Sequence, residues 1–321
     1  MIIVPERLIA DLVSPEAAQE AVEAVFAAMA RGDACNFPVI REAIGHADAL
    51  YGFKSGFDRA GGVLGLKSGG YWPGNMDKGL PNHQSTVVLF DPDTGQASAM
   101  VGGNLLTALR TAAASAVSID RLARKDAKVL GMVGAGHQSA FQMRAAARVR
   151  AFEKVVGWNP HPEMLPRLAG TAAELGLPFE AVELEALGAQ ADVIVTITSS
   201  FAPIVLDAHV RPGTHLACMG TDTKGKQEVD AAILARASVF TDEVAQAVSI
   251  GEAQHAVGAG LIGADAITPI GAVLTGAHPG RVSADQVTLF DGTGVGLQDL
   301  AVAARAVDMA VERGVAVTVD F

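Results

Sequence analysis

Lys128-Val129-Leu130-Gly131-Met132-Val133-Gly134-Ala135-Gly136-His137-Gln138-Ser139 is the stretch whose reading decides the fold of this chain. An apolar run ends in Gly134-x-Gly136-x-x-Ser139, and a helix-forming stretch follows. Gly134 permits a tight turn, and Gly136 leaves the backbone open to a close neighbour. Ser139 is small enough for strand and helix to pack together. Such a layout aims backbone N–H groups from a helix N-terminus at a pyrophosphate. A second strand, Lys154-Val155-Val156-Gly157-Trp158-Asn159, follows at the spacing expected of a dinucleotide-binding βαβ unit. The competing reading is a glycine turn in some other doubly wound domain.

Outward from this unit, strands and helices alternate. Apolar runs at 179–182, 193–198, 215–219, 238–241 and 287–290 predict a parallel sheet with helices on both faces. Asp291-Gly292-Thr293-Gly294-Val295-Gly296 is a glycine-rich turn, and 297–313 reads as a helix. The spaced glycines at 257–261 read as a connector. The first third of the chain differs. Ser14-Pro15-Glu16 is a helix start, with a hydroxyl N-cap and proline at the first helical position, and the helix stops near Gly32. Strand-like runs at 50–54, 62–67, 85–90 and 97–101 predict mostly antiparallel pairing, with Asp91-Pro92-Asp93-Thr94-Gly95 as a hairpin turn. An alanine-rich helix over 107–122 connects the two parts. The fold class is therefore α/β, a doubly wound parallel sheet plus a smaller α+β domain. The expected boundaries are 1–120, completed by 295–321, and 121–294.

The chain has 321 residues, half of them hydrophobic, enough for two cores. A net charge of −11 argues against nucleic acid or an anionic membrane as partner. Cys35 and Cys218 stand far apart and in no metal-ligand spacing, and the eight histidines form no such pair, so no metal is expected. The start, Met1-Ile2-Ile3-Val4-Pro5-Glu6-Arg7, lacks the basic opening and long apolar core of a signal peptide, and no apolar run reaches membrane-spanning length. A cytoplasmic protein is expected.

Ligands of open α/β sheets sit beyond the carboxyl ends of the strands. Those ends carry Asn159, the segment Thr196-Ile197-Thr198-Ser199-Ser200, and Met219-Gly220-Thr221-Asp222-Thr223-Lys224-Gly225-Lys226. Asp222 is the carboxylate placed to act there, although a lone aspartate more often caps a turn. Arg41, Lys54 and Lys67 lie in or beside strands, and Arg110 interrupts a helix of apolar and small residues. Each alone is more often solvated. Together they make a cationic cluster suited to a carboxylate, which Arg binds in two places and Lys as a point charge. His83 is either a site donor or a satisfied loop histidine. No nucleophile elbow or triad is present.

These residues, taken in order, resemble the ornithine cyclodeaminase/μ-crystallin family over nearly the whole chain. Leu109-Arg110-Thr111-Ala112-Ala113-Ala114-Ser115 is similar to its arginine helix, and Gly134–Ser139 to its nucleotide loop. Gly220-Thr221-Asp222 with Lys226, Glu228 and Asp230 resembles its catalytic-aspartate segment. Phe290-Asp291-Gly292-Thr293-Gly294 with Gln298-Asp299 resembles its C-terminal signature. The resemblance implies a Rossmann domain and a substrate-binding, dimerising domain built from the N-terminal part and the last helix. It implies a nicotinamide cofactor, a small imino or amino acid substrate and a homodimer. Carried over by position, Asp222 and Lys67 are catalytic, and Arg41, Lys54, Lys67, His83 and Arg110 meet the substrate. Asn82, Arg110, Thr111, Gly134, Gly136, His137, Gln138, Asn159, Thr198, Ser200, Met219, Gly220, Thr221, Lys226, Gly292 and Thr293 would line the cofactor.

Three positions depart from the family pattern. Asn82 replaces a frequent threonine, Gly292 a frequent serine beside the nicotinamide, and Asn159 the acidic ribose ligand. No arginine follows Asn159 directly, in Pro160-His161-Pro162, to pair with a 2′-phosphate, so NAD(H) is expected over NADP(H). Lys54 stands roughly where ornithine cyclodeaminases offer an acid for a second amine. A cation there favours a second carboxylate, and similarity is greatest to the branch of the family that reduces iminosuccinate to L-aspartate. Imine reduction is thus the expected reaction. A cyclodeaminase-type lyase, an alanine dehydrogenase or ketimine reductase, and a non-catalytic dinucleotide-binding protein are the alternatives.

Overall fold

The hydroxyl of Ser14 accepts a hydrogen bond from Ala17 N at 3.1 Å and opens a helix over Pro15–Arg31. Gly32, at φ 78°, ends it in the left-handed conformation that costs glycine little. The computed structural model describes all residues from Met1 to Phe321 and divides the chain into two compact units. One comprises Met1–Arg110 with Val295–Phe321, the other Thr111–Gly294. The division falls inside the helix Asn104–Leu122, earlier than the boundary at 120 expected from the sequence.

In the first unit an eight-stranded sheet runs in the order Val317–Thr318, Ile2–Val4, Ala97–Gly102, His83–Phe90, Val63–Tyr71, Leu50–Asp58, Ala34–Asn36, with Ile40–Ala43 also on Leu50–Asp58. The pairing is antiparallel except between Ile2–Val4 and Ala97–Gly102. Alternate residues of the inner strands, such as Ser85, Val87 and Leu89, are buried, as a half-covered sheet requires. Asp91 Oδ1 accepts from the backbone N–H groups of Asp93 and Thr94 and, with Gly95 at φ 72°, closes the expected hairpin.

The helix Gly296–Glu312 lies on the strands Leu50–Asp58 and Val63–Tyr71. Two glycines make this approach close. A Cβ on Gly56 would sit 3.0 Å from the Leu297 side chain, and one on Gly65 would sit 2.9 Å from that of Leu300. Asp299, between those leucines in sequence, is thereby pressed onto the sheet. The helix Asn104–Leu122 starts where Glu6 accepts from Asn104 N at 3.0 Å and Leu105 N at 2.7 Å. That carboxylate satisfies two orphan donors and complements the helix dipole. It fixes the register that carries Arg110.

The second unit holds an eight-stranded, wholly parallel sheet. Its order is Phe179–Ala181, Lys154–Trp158, Val129–Val133, Val193–Thr196, His215–Cys218, Thr288–Asp291, Ser238–Thr241, Ile267–Pro269. The order reverses between Val129–Val133 and Val193–Thr196, so the carboxyl ends of these two strands flank the switch point where ligands of such sheets bind. Their side chains are buried on both faces, with Leu130, Met132, Val193, Ile194 and Val195 at 0% exposure. The sequence reading found the edge strand Phe179–Ala181 but missed the edge strands of the first sheet, Ile267–Pro269 at the other edge of the second, and the small sheet of Phe201–Val205 with Gln227–Val229. No helix is long and apolar enough to cross a membrane.

Candidate active site

The glycine loop after Val129–Val133 is built to receive an anion. Gly134 adopts φ 108°, and a Cβ there would lie 2.6 Å from the carbonyl oxygen of Ile197. Gly136 has open space where its Cβ would stand. The N–H groups of Gly136, His137 and Gln138 take no protein partner, and they lead into the helix Ser139–Val149. Gln138 Oε1 is buried without a hydrogen bond. Unused donors, an open glycine face and an orphaned acceptor fit the phosphates and adjoining groups of a dinucleotide. His137 packs its ring on Phe141 instead of reaching back over the loop.

Asn159 Oδ1 accepts from Ala135 N at 3.1 Å, and its Nδ2 donates to the carbonyl of His161 at 2.9 Å. Asparagine can accept and donate at once, whereas an aspartate would set an oxygen against that carbonyl. Its amide thus secures the glycine loop, while a second lone pair and a second N–H remain on it. Ser200 likewise spends its hydroxyl on Ala202, donating to its carbonyl at 2.6 Å. In the other unit, Asn82 accepts from Met76 N and donates to the Tyr71 hydroxyl, holding its own turn.

The next two strand ends are held by buried acids that the sequence reading gave no role. Glu228 accepts from Thr198 N at 2.5 Å, Gly220 N at 2.8 Å and the Thr196 hydroxyl at 2.7 Å. Glu252 accepts from the Thr221 hydroxyl and from Glu228 N. Burial, then the charge of Glu228, pushes Glu252 well above the usual carboxylate range. Asp291 is pushed up to about 7, first by burial, with Asp242 and Glu228 adding to it. Thr293 donates to Asp242 at 2.6 Å.

Asp222 stands just beyond this brace. Lys226 Nζ reaches its Oδ1 at 2.8 Å and also donates to Gly220 O at 3.2 Å, so Lys226 is fastened to Asp222 and its loop. Thr223 donates to the same oxygen at 3.2 Å. Gly292 carries no side chain because Met219 occupies the space: a Cβ would lie 2.6 Å from its Sδ and Cε. The serine frequent in the family would have to displace that methionine.

The cations of the first unit converge on an acid. Lys67 Nζ lies 2.8 Å from Asp299 Oδ2, and Arg110 Nε donates to Asp299 Oδ1 at 2.9 Å. Arg110 Nη1 donates to Gln298 at 3.1 Å. All three charged side chains are at most 8% exposed. Neither Lys67 nor Arg110 is solvated, the commoner state of such a residue taken alone. Asp299 was visible only as a signature residue. An acid alone among the uncharged residues of 296–304 was the signal that could have found it. Burial pushes Asp299 up, but Arg110 and Lys67 outweigh it and hold it below the usual range. Burial pulls Lys67 down to about 7, against Asp299 and with Arg110 and Lys54. Arg110 keeps Nη2 without a protein partner, and a carboxylate could take it. Lys54 stands directly across the strand pair from Lys67. Arg41 sits opposite Gly52 on the neighbouring strand, and His83 opposite Tyr71, both half-buried. Thr111 is buried one residue beyond Arg110.

Known proteins resemble this chain over its whole length. The chain is 70% identical over 321 residues, all of both chains, to the iminosuccinate reductase of Paracoccus denitrificans strain Pd 1222. The crystal structure of that reductase in complex with NAD+ superposes with a TM-score of 0.96, over 100% of this chain and 99% of the other. An archaeal alanine dehydrogenase dimer with bound NAD, 33% identical, superposes with a TM-score of 0.93 over 100% and 99%. A profile of the ornithine cyclodeaminase/mu-crystallin family matches residues 7–314, and the chain belongs to that family.

Proposed function

We propose that the protein is an NADH-dependent reductase of small imino acids whose substrate is iminosuccinate and whose product is L-aspartate. The observation that carries this reading is full-length 70% identity to an iminosuccinate reductase with a structure holding NAD+. Bound NADH supplies the hydride that forms the C–H bond at the imine carbon. The chain supplies charge and position. Asp222, steadied by Lys226 and Thr223, holds and stabilises the protonated imine nitrogen, which makes the carbon a better acceptor. The amine formed then takes one proton from water. Arg110, through Nη2, and Lys67 grip the α-carboxylate, and Asp299 keeps both cations in place. Arg41, Lys54 and His83 complete the substrate side, with Lys54 suited to a second carboxylate. The glycine loop with Gln138, then Thr198, Met219, Gly220, Thr221, Gly292 and Thr293, seats the cofactor.

The working form is a homodimer, as in the archaeal alanine dehydrogenase. Exposed Phe37, Ile40, Ile44 and Met76 supply apolar surface for it in the first unit. The free thiols Cys35 and Cys218 suit the cytoplasm. The test is steady-state reduction with ammonia and a panel of oxo acids, following nicotinamide absorbance with NADH and with NADPH. Oxaloacetate with NADH should give the highest kcat/KM, and ornithine should release no ammonia. A higher kcat/KM for pyruvate, or for NADPH, would overturn the corresponding part of the reading.

A further inference from the structure

Glu228 is buried at 0% exposure and has no step in the reduction proposed above. Its bonds run to two neighbouring strands. Oε1 accepts from Thr198 N, just past Val193–Thr196. Oε2 accepts from Gly220 N, just past His215–Cys218, and from the Thr196 hydroxyl. The fit is tight enough to forbid a side chain beside it: a Cβ on Gly220 would lie 2.5 Å from Glu228 Oε1. From the other side Glu252 accepts from Glu228 N at 2.7 Å and from the Thr221 hydroxyl. Two carboxyl groups therefore fix consecutive residues of the segment that ends in Asp222, Gly220 through its peptide N–H and Thr221 through its hydroxyl.

We propose that Glu228 is a positioning residue for the dinucleotide seat: its carboxylate cross-braces the two strand ends, while Glu252 braces it as the neutral partner. The donor count divides the roles. Both oxygens of Glu228 receive donors, three in all, which favours the carboxylate there and opposes the burial that pushes its pKa up. Glu252 takes its two close donors on Oε1 alone, and Oε2 has only Val229 N at 3.4 Å. A proton on Oε2 therefore costs Glu252 little, and it relieves repulsion from Glu228. Asp291, the third buried acid here, accepts from Ala253 N at 3.0 Å and lies outside the brace.

The inference rests on the dinucleotide reading and not on the choice of imine. It is tested by titrating the apo protein with NADH and reading Kd by fluorescence, alongside thermal unfolding. In Glu228→Gln an NH2 group must face either Thr198 N–H or Gly220 N–H, donor against donor. The strand ends should part, and Kd should rise about tenfold or more. Glu252→Gln copies a neutral acid and should stay within about twofold of the parent. A role in stability alone would lower the unfolding temperature of Glu228→Gln without moving Kd, and an unchanged Kd overturns the proposal. So does a Glu252→Gln variant weakened as much as Glu228→Gln. Should Glu228→Gln fail to fold, Thr196→Val removes one donor to the brace and keeps both backbone ones. It should weaken NADH about threefold, and a parental Kd there would refute the brace.

Discussion

Replacing Asp299 by asparagine removes the one negative charge that Lys67 and Arg110 share. At 2.8 Å and 2.9 Å, and an effective dielectric constant near 20, each pair is worth about 6 kcal/mol of direct attraction. The net loss is smaller, because the parent already bears the desolvation of all three charges. Removing one partner of a buried pair usually costs about 3–5 kcal/mol. Lys67 makes that cost depend on pH. In the folded parent it titrates at about 7, below its ordinary 10.5, and without Asp299 it must titrate lower still. At about pH 6 the parent holds Lys67 protonated against Asp299, and the variant loses that interaction. At about pH 8.5 Lys67 is mostly neutral in both folded proteins, so only the Arg110 contact is lost. The expected destabilisation is therefore about 4 kcal/mol at the lower pH and about 2 kcal/mol at the higher. Trp72 belongs to the first unit and Trp158 to the second, so urea unfolding followed by fluorescence in a Trp158→Phe background reads the unit concerned. A loss below about 1 kcal/mol at both pH values would refute the reasoning, as would a cost that grows with rising pH.

Asp222→Asn should lower kcat for imine reduction on the order of a hundredfold or more and leave NADH affinity nearly unchanged; near-parental turnover would make this carboxylate merely structural. His215, buried between Ser118 and Thr288, has its pKa pulled down from 6.5 to about 3, by burial first and then by Arg281 and Arg150. The unfolded chain therefore takes up this proton first as pH falls below 6.5. Stability should drop through the window down to about 3, by up to about 5 kcal/mol from this group, and His215→Gln should flatten that part of the urea-midpoint profile. Gly134→Ala should weaken NADH binding and stability together, because its φ of 108° and the Ile197 carbonyl both exclude a Cβ; a variant with parental Kd would contradict the assigned loop geometry.

The second unit was the more legible in sequence because its signals are local. Gly134 and Gly136 sit between an apolar run and a helix, and each buried strand reads as a continuous apolar segment. Ser14, Pro15 and Gly32 marked a helix in the same way, through residues that act on their own backbone. What escaped depends on partners distant in the chain. Asp299 meets Lys67 and Arg110 only after the last helix settles on the sheet, and Glu6 caps a helix that begins nearly a hundred residues later. Glu228 and Glu252 looked like ordinary acids, since burial of a carboxylate leaves no mark in the sequence around it. Asn159 was correctly found at a strand end. Its hydrogen bonds to Ala135 and His161, which decide its work, come from the folded loop. The short strands Ile2–Val4 and Ile40–Ala43 lack the length for a period to show.

The reduction proposed above passes a hydride from NADH to the imine carbon of a four-carbon dicarboxylate. It is tested most directly with oxaloacetate, ammonia and NADH deuterated at both C4 positions, followed by mass spectrometry of the aspartate formed. The expected product is L-aspartate carrying one deuterium, at the carbon that bears the amino group. Aspartate without the label, or no aspartate while the labelled NADH is consumed, would contradict it.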